Sequence, residues 1–157
     1  MKARKSFREK LADSHGFPRV EPITPAIAKR WGVMGTLVIP APRDVDAVMR
    51  RVPRGKLITI NQIGAALARE HGATVGCRIT TGIFASIAAH AAAEDEAAGR
   101  KRITPYWRTL KRDGEINVKY PGGLAGQKKR LAAEGHVVVI KGKRAFVIDY
   151  ERQLVKD

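Results

Sequence analysis

Residues 57–99 read LITINQIGAALAREHGATVGCRITTGIFASIAAHAAAEDEAAG, and this stretch decides the fold class. Thr59 is followed three residues later by Gln62, which is the capping-box pattern that starts a helix. The sequence therefore predicts a β-prone segment over residues 57–60 that leads into a helix from about 60 to 70. The inner face of this helix is predicted to consist of Ile63, Ala66 and Leu67.

A second helix is predicted to begin after Thr80 or Thr81 and to run to about Ala98, where Gly99 stops it. Its apolar stripe is predicted to consist of Ile83, Phe84, Ile87, Ala88 and Ala91. The small residues Ala85, Ser86 and Ala89 would let the backbone come close to a nucleic-acid groove. Two successive helices of this kind are typical of a helix-turn-helix, with the second as the recognition helix.

The segments on either side extend this interpretation. Upstream we expect a basic helix or a mobile arm at residues 1–10, a proline-rich and mostly irregular stretch at 16–40 with one short strand within 32–40, and a helix from Pro42 to about Arg51. Downstream we expect a short helix at 127–134 and a β-hairpin of 137–140 and 144–149 that turns at Gly142.

The predicted fold class is α/β, a mainly helical winged helix-turn-helix with a C-terminal β-hairpin. Residues 1–41 are predicted to form a basic N-terminal arm or extension, and residues 42–157 the winged-helix DNA-binding domain.

The bulk composition points to a polyanionic partner. The chain has 157 residues, 30 Lys and Arg against 15 Asp and Glu, and a formal net charge of +15. Such an excess attracts nucleic acid with a salt-dependent affinity, and an anionic membrane surface is the rival partner. No run of apolar residues is long enough to span a bilayer. The single cysteine, Cys77, excludes an internal disulfide and fits a cytoplasmic location.

Two groups of residues are candidates for DNA contact. Basic residues cluster after the second helix, where acidic residues do not balance them, and small polar residues lie near the starts of the two helices. The candidates are Thr59, Gln62, Thr80, Thr81, Ser86, Lys101, Arg102, Arg108, Lys111 and Lys128.

Three short motifs follow in order: Ile-Thr-Pro-Tyr-Trp-Arg at 103–108, Lys-Tyr-Pro-Gly-Gly-Leu at 119–124 and Glu-Gly-His at 134–136. With the upstream Val-Pro-Arg-Gly-Lys-Leu-Ile-Thr at 52–59, this series resembles the active-site frame of the 6-O-alkylguanine-DNA alkyltransferases. The resemblance covers roughly residues 48–136. That family carries Pro-Cys-His-Arg, and its cysteine takes the alkyl group from DNA.

The resemblance assigns roles by position. Tyr106 lies where the alkyl-accepting cysteine would be, Trp107 where the activating histidine would be, and Glu134 where a glutamate orients that histidine. The wall of the flipped-base pocket would be formed by Tyr120, Gly122 and Gly123. The chain departs from the family at Ile60, in place of a tyrosine that helps to rotate the target phosphate. It departs again near Thr81 and Gly82, in place of an arginine that fills the gap left by the flipped base.

Chemistry excludes Tyr106 and Trp107 as replacements for the reactive pair. Dealkylation needs a thiolate activated by a lowered pKa, whereas a phenol with a pKa near 10 carries little anion at neutral pH. An indole nitrogen only donates and cannot act as a base. Two interpretations of the rings stay open: a stacking surface that offers one hydroxyl to a base, or a plug that fills the old pocket.

The sequence thus predicts a non-catalytic DNA-binding protein, similar to a divergent alkyltransferase-like branch, that recognises alkylated or distorted double-stranded DNA in repair. The alternatives are an architectural or regulatory DNA-binding module and an enzyme that uses the remodelled pocket for other chemistry. We expect no cofactor, no metal and no membrane partner, a monomeric state, and repair proteins as further partners.

Overall fold

The computed structural model describes residues 4–156 and shows a mixed α/β fold in which helices predominate and three small sheets lie around them. The helices are α1 (Phe7–Ala12), α2 (Pro25–Trp31), α3 (Pro42–Arg50), α4 (Ile60–His71), α5 (Arg78–Ala97), α6 (Gly123–Ala133) and α7 (Tyr150–Gln153). The strands are β1 (Arg19–Pro22), β2 (Thr36–Ile39), β3 (Ile58–Thr59), β4 (Val75–Gly76), β5 (Thr109–Leu110), β6 (Val138–Lys141) and β7 (Arg144–Val147). A 3-10 turn spans Tyr106–Arg108.

The predicted capping box at the start of α4 is confirmed. The Thr59 hydroxyl accepts from the Gln62 backbone N–H at 3.2 Å, and the Gln62 side chain accepts from the Thr59 N–H at 3.1 Å. These two bonds satisfy N–H groups that the first turn of a helix leaves without partners. Gly72 ends the helix in the left-handed conformation, and Ile63 and Leu67 are fully buried, as predicted.

The second predicted helix is present as α5, but it begins at Arg78, before either predicted start. Phe84, Ala88 and Ala91 are buried, as expected. The prediction for Ile83 was wrong, because its side chain is 54% exposed. Ala85 was also misplaced: it faces the core at 0% exposure and cannot approach a groove.

Ala89, also expected to allow close approach to a groove, is fully buried. Both faces of α5 are rich in alanine, so their composition gave no sign of which one packs against α3 and α1.

The segment before Pro42 is more ordered than predicted. The stretch expected to be mostly irregular at 16–40 contains helix α2, which Thr24 caps by accepting from the Ile27 N–H. The short strand predicted within 32–40 is confirmed as β2, and it pairs with an unpredicted strand, β1. Strand β2 continues this sheet by parallel pairing with β4, and Val38 on β2 is fully buried.

Helix α1 settles the two alternatives for the N-terminal segment in favour of a docked helix over residues 7–12; residues 1–3 of that prediction lie outside the described part of the chain. The Glu94 carboxylate on α5 accepts from the Phe7 and Arg8 backbone N–H groups at 3.0 and 2.9 Å. The Phe7 ring also stacks on His90, with centroids 4.7 Å apart. The predicted domain boundary at residue 42 concerns independent folding and stays a prediction. The two sides of this boundary are in contact, since α1 packs against α3 and α5.

The C-terminal hairpin is confirmed as β6 and β7, antiparallel and turning at Gly142, which has a positive φ. The helix before it is longer than predicted, since α6 starts at Gly123. Strands β3 and β5 pair in parallel and bring the start of α4 close to the 3-10 turn. The helix pair and the hairpin of a winged helix are therefore present, whereas their arrangement as a winged helix stays a prediction.

Candidate functional site

The 3-10 turn carries the residues that the alkyltransferase resemblance singles out. Tyr106 is 3% exposed and Trp107 is 9% exposed. The Tyr106 ring meets Trp107 edge to face, with centroids 5.2 Å apart, and it meets Tyr120 in the same way at 6.3 Å. The three rings form one buried group, which we call the aromatic cluster. Of the two interpretations left open for these rings, this packing favours the plug, because in this conformation the buried Tyr106 ring is not available to a base.

Glu134 anchors the aromatic cluster from the end of α6. Its carboxylate accepts from the Trp107 indole N–H at 2.8 Å and from two guanidinium nitrogens of Arg108, each at 2.9 Å. A fourth hydrogen bond comes from the Gly55 backbone N–H at 3.2 Å. The Glu134 side chain is only 5% exposed. Trp107 therefore donates to the same glutamate that the resemblance pairs with a histidine.

These contacts set the ionisation of Glu134. Burial alone would raise the pKa of its carboxyl group, but the hydrogen bonds from Arg108, Trp107 and Gly55 outweigh burial and lower the pKa below its ordinary value. Glu134 is an anion at neutral pH with its oxygens engaged, so it is poorly suited to act as a general base.

Burial raises the pKa of the Tyr106 hydroxyl and, more strongly, that of Tyr120. The nearby Arg130 guanidinium opposes this effect at Tyr106 without reversing it. Both phenols are thus neutral in the physiological range. Neither can supply the anion that alkyl acceptance requires.

Arg130 on α6 packs over the rings of the cluster, a role that no sequence motif indicates. Its guanidinium carbon lies 4.5 Å from the Trp107 ring centroid and 5.7 Å from that of Tyr106. Glu96 on α5 holds it in place with a 2.6 Å contact. Cation–π contacts of this kind stabilise both the rings and the orientation of the arginine.

The loop that the resemblance places at the pocket wall has a tight backbone. Gly122 has a positive φ of 82°, and a Cβ there would lie 3.2 Å from the Cα of Gly126. Gly123 also has a positive φ and begins α6. The buried Gln127 amide donates to the Asn117 carbonyl at 2.7 Å and fixes this loop against the helix. The glycines therefore have a clear structural purpose in this loop.

Several predicted DNA contacts are engaged inside the protein. Arg108 is 14% exposed; besides Glu134 it donates to the Val52 carbonyl at 2.7 Å. The Thr59 hydroxyl is used as a helix cap, and the Gln62 amide donates to the Val155 carbonyl at 3.0 Å. Thr81 is 1% exposed. These four side chains serve the fold in this conformation, so they are not displayed to a partner.

The other candidates lie at or near the surface. Lys101, Arg102, Lys111 and Lys128 are exposed, and Thr80 and Ser86 are half-buried. The Thr80 hydroxyl contacts the Cys77 thiol at 3.1 Å. Lys101 and Arg102 follow α5, Lys111 follows β5, and Lys128 lies on α6.

The charge balance of this region is strongly uneven. Residues 100–144 contain thirteen Lys and Arg but three Asp and Glu. Each acid has an internal cationic partner: Asp113 with Arg112, Glu115 with Arg144, and Glu134 with Arg108. Within the described residues 4–156, the cations left without an ion-pair partner in this region are Lys101, Arg102, Lys119, Lys128, Lys129, Lys141 and Lys143.

Neither a metal cluster nor a membrane span is found in the described part of the chain. Within residues 4–156, no three His, Cys, Asp or Glu side chains come together in a way that could hold a metal ion. Over the same residues, no helix is both long enough and apolar enough to cross a bilayer.

Comparison with known proteins gives one structural likeness. No protein-family model and no curated protein matches the chain. Among solved structures, it is similar to S. pombe Atl1 in complex with damaged DNA containing O6-carboxymethylguanine. The likeness covers 74% of this chain and 94% of that chain, with 17% sequence identity and a TM-score of 0.47. A likeness of this strength assigns neither a function nor site residues to the chain.

Proposed function

We propose that this protein is a non-catalytic, double-stranded DNA-binding protein that recognises altered or distorted duplexes. The observation that carries the proposal is the charge imbalance of residues 100–144, where each of the three acids is already paired with a cation of the protein itself. The exposed cations that remain are available to phosphates, and phosphate contacts supply most of the affinity of such proteins.

The chemistry of the aromatic cluster supports the non-catalytic part of the proposal. Tyr106 is a neutral, buried phenol, and Trp107 donates its only polar hydrogen to Glu134. The free thiol of Cys77 lies in the segment before α5, far along the chain from this cluster. We expect no added mass on any residue after incubation with a labelled 6-O-alkylguanine duplex; a stoichiometric adduct on any residue, Cys77 included, would contradict the proposal.

The burial of Tyr106 and Trp107 bears on what is recognised. Insertion of an extrahelical guanine would require these rings to leave their packed positions, whereas recognition of a distorted helix would not. The same burial favours a second candidate, an architectural or regulatory DNA-binding module without lesion specificity. For both candidates we propose a monomer whose DNA-binding domain includes residues 42–157. Repair proteins are proposed as further partners only if the protein recognises altered or distorted DNA.

A titration against matched duplexes tests both candidates. One duplex carries a single 6-O-alkylguanine, a second carries a mismatch at the same position, and a third is fully paired. Salt-sensitive binding to all three with a preference for the altered duplexes supports distortion recognition. Equal affinities would leave the general module, and no duplex binding at low salt would refute DNA binding altogether.

A further inference from the structure

The C-terminal hairpin has one covered edge and one open edge. Along β7 the covering segment is residues 114–116: the Ile116 N–H donates to the Ala145 carbonyl at 2.9 Å, and the Val147 N–H donates to the Gly114 carbonyl at 3.1 Å. Strand β6 pairs with β7 on one side only, and in the described part of the chain no strand lies on its other side. The outer edge of β6 is therefore free to pair with another strand.

The register of the hairpin determines which backbone groups face this open edge. The Ile148 N–H donates to the Val137 carbonyl at 2.9 Å, and in an antiparallel ladder the residues that bond to the partner strand alternate with those that do not. The N–H and C=O groups of Val138 and Ile140 consequently point away from β7. Among residues 4–156, nothing in the protein forms a hydrogen bond with these groups.

Strand β1 shows how the same molecule protects another edge. It is the outermost strand of the sheet β1-β2-β4, and its sequence is Arg-Val-Glu-Pro. The charges of Arg19 and Glu21 and the missing N–H of Pro22 are devices with which proteins prevent a second chain from pairing with an exposed strand. Strand β1 is thus protected against strand addition.

The open edge of β6 has none of these devices in its apolar part. Residues 137–140 read Val-Val-Val-Ile, without a charge, a proline or a glycine. Val137 is 61% exposed and Ile140 is 53% exposed, and the alternation of a strand places them on opposite faces. An added strand would find free backbone groups at this edge and an exposed apolar side chain on each face.

The charges at the end of β6 indicate which strand would be added. Lys141 ends the strand and Lys143 lies in the turn, and both side chains are exposed. Neither lysine has an ion-pair partner within the described residues, so acidic side chains of a partner would be attracted to this end of the edge. A second copy of this chain would instead bring a further net charge of +15 to the same place, which opposes self-association.

We propose that the open edge of β6 binds an extended segment of a partner protein as an added strand. The segment carries apolar residues opposite residues 137–140 and acidic residues opposite Lys141 and Lys143. In this mode of recognition main-chain hydrogen bonds supply affinity, and side-chain contacts supply specificity. The inference goes beyond the proposed DNA-binding function and does not depend on it.

The test titrates the full chain, without DNA, with a fluorescent peptide that has blocked ends, a core of alternating valine and threonine, and glutamates at both ends. The control peptide has lysines in place of the glutamates. We expect the glutamate peptide to bind at least about tenfold more tightly than the lysine peptide. When it is bound, amide hydrogen exchange should slow at Val138 and Ile140 and change little at Val139, whose N–H already faces β7.

Two variants probe the edge itself. Ile140→Pro removes an N–H that points away from β7, so the ladder with β7 keeps its bonds, and the affinity for the glutamate peptide should fall about tenfold. The matched control Ile140→Val keeps the N–H and the branched apolar side chain and should bind within about twofold of the wild type. Lys141→Glu combined with Lys143→Glu changes exposed side chains only and should reverse the preference between the two peptides, which tests the proposal even if Ile140→Pro disturbs the hairpin.

Several results would overturn the proposal. The wild type could fail to bind the glutamate peptide, bind both peptides equally, or bind without slower exchange at Val138 and Ile140. A dimeric wild type that Ile140→Pro converts to a monomer would show that a second copy covers the edge, which contradicts the proposal as well. A wild type that binds the glutamate peptide as expected but no duplex DNA would refute the proposed DNA binding and leave the edge assignment standing.

Discussion

The aromatic cluster and the first half of α5 differ in almost every physical respect. In the cluster, the Tyr106 and Trp107 rings are buried and the Glu134 carboxylate accepts four hydrogen bonds. On α5, Ile79 and Ile83 project into solvent. The hydrogen-bonding capacity of the cluster is used inside the protein, whereas the two isoleucine side chains on the helix are open to solvent.

The motifs therefore lie in one region of the molecule, and binding is expected in another. The residues with the strongest resemblance to a reactive frame stabilise the fold. The residues suited to contact a partner are the exposed cations, of which only Lys119 lies within a motif, and the exposed Ile79 and Ile83. Substitutions in the two regions should therefore have separable effects on stability and on duplex affinity.

Arg108→Ala should cost about 3–5 kcal/mol of stability, because it leaves Glu134 buried without its charged partner. Chemical denaturation at neutral pH measures this loss. The control is Arg112→Ala, since the Arg112 side chain is 72% exposed and its ion pair with Asp113 is exposed as well; its effect should stay within about 0.5 kcal/mol. An Arg108→Ala protein of normal stability but weakened duplex affinity would place this arginine on the binding surface instead.

Tyr106→Ala should cost about 3–4 kcal/mol of stability, as is typical when a buried aromatic side chain is truncated and leaves a cavity. The Tyr106→Phe variant keeps the ring and its edge-to-face contacts, so its melting temperature should stay much closer to that of the wild type. An unchanged melting temperature for Tyr106→Ala would show that the ring supports no packing, and the cluster would lose its structural role.

Replacing both Lys128 and Lys129 by alanine should weaken duplex binding and make it less salt-dependent. If about five phosphates are neutralised in the wild type, log K falls with log salt with a slope of roughly −4 to −5, and the double variant should reduce that slope by about 1.8. Lys29→Ala on α2 is the control for the loss of a distant positive charge. A slope that is unchanged in the double variant would remove α6 from the binding surface.

The lowered pKa of Glu134 predicts an acid-dependent stability. A carboxyl group whose folded pKa is depressed stabilises the fold at pH values above its ordinary pKa of 4.5, and this contribution is lost as pH falls through the lower folded pKa. The stability advantage of the wild type over Glu134→Gln should therefore be constant near neutral pH and shrink below about pH 4.5. An advantage that is independent of pH down to full acid unfolding would show that the Glu134 charge contributes nothing.

Local signals predicted much of the fold. The Thr59–Gln62 capping box predicted the start of α4 correctly, and two apolar runs with Gly142 between them predicted the hairpin. Both features depend on residues that are close together in the sequence. Helix α2 was missed because the prolines around it favoured an irregular interpretation, although Pro25 lies at the first turn of a helix, where proline is tolerated.

The placement of side chains in the candidate site depended on contacts that sequence does not display. The burial of Arg108 follows from its pairing with Glu134, 26 residues further along the chain. A basic residue in a basic segment gave no local sign of that partner. The exposure of Ile83 and the burial of Ala85 depend on which face of α5 packs against α1 and α3, and an alanine-rich helix leaves this choice to tertiary structure.

The most direct test of the division between the two regions is the duplex affinity of the Tyr106→Ala protein, measured well below its melting transition and compared with Tyr106→Phe. If the aromatic cluster is structural and binding lies elsewhere, both variants should bind undamaged and 6-O-alkylguanine duplexes within about twofold of the wild type, despite the lowered stability of Tyr106→Ala. A loss of about 1–3 kcal/mol in affinity with an unchanged melting temperature is the signature of a ring that stacks on a base. That result would contradict a purely structural cluster and return Tyr106 to the binding surface.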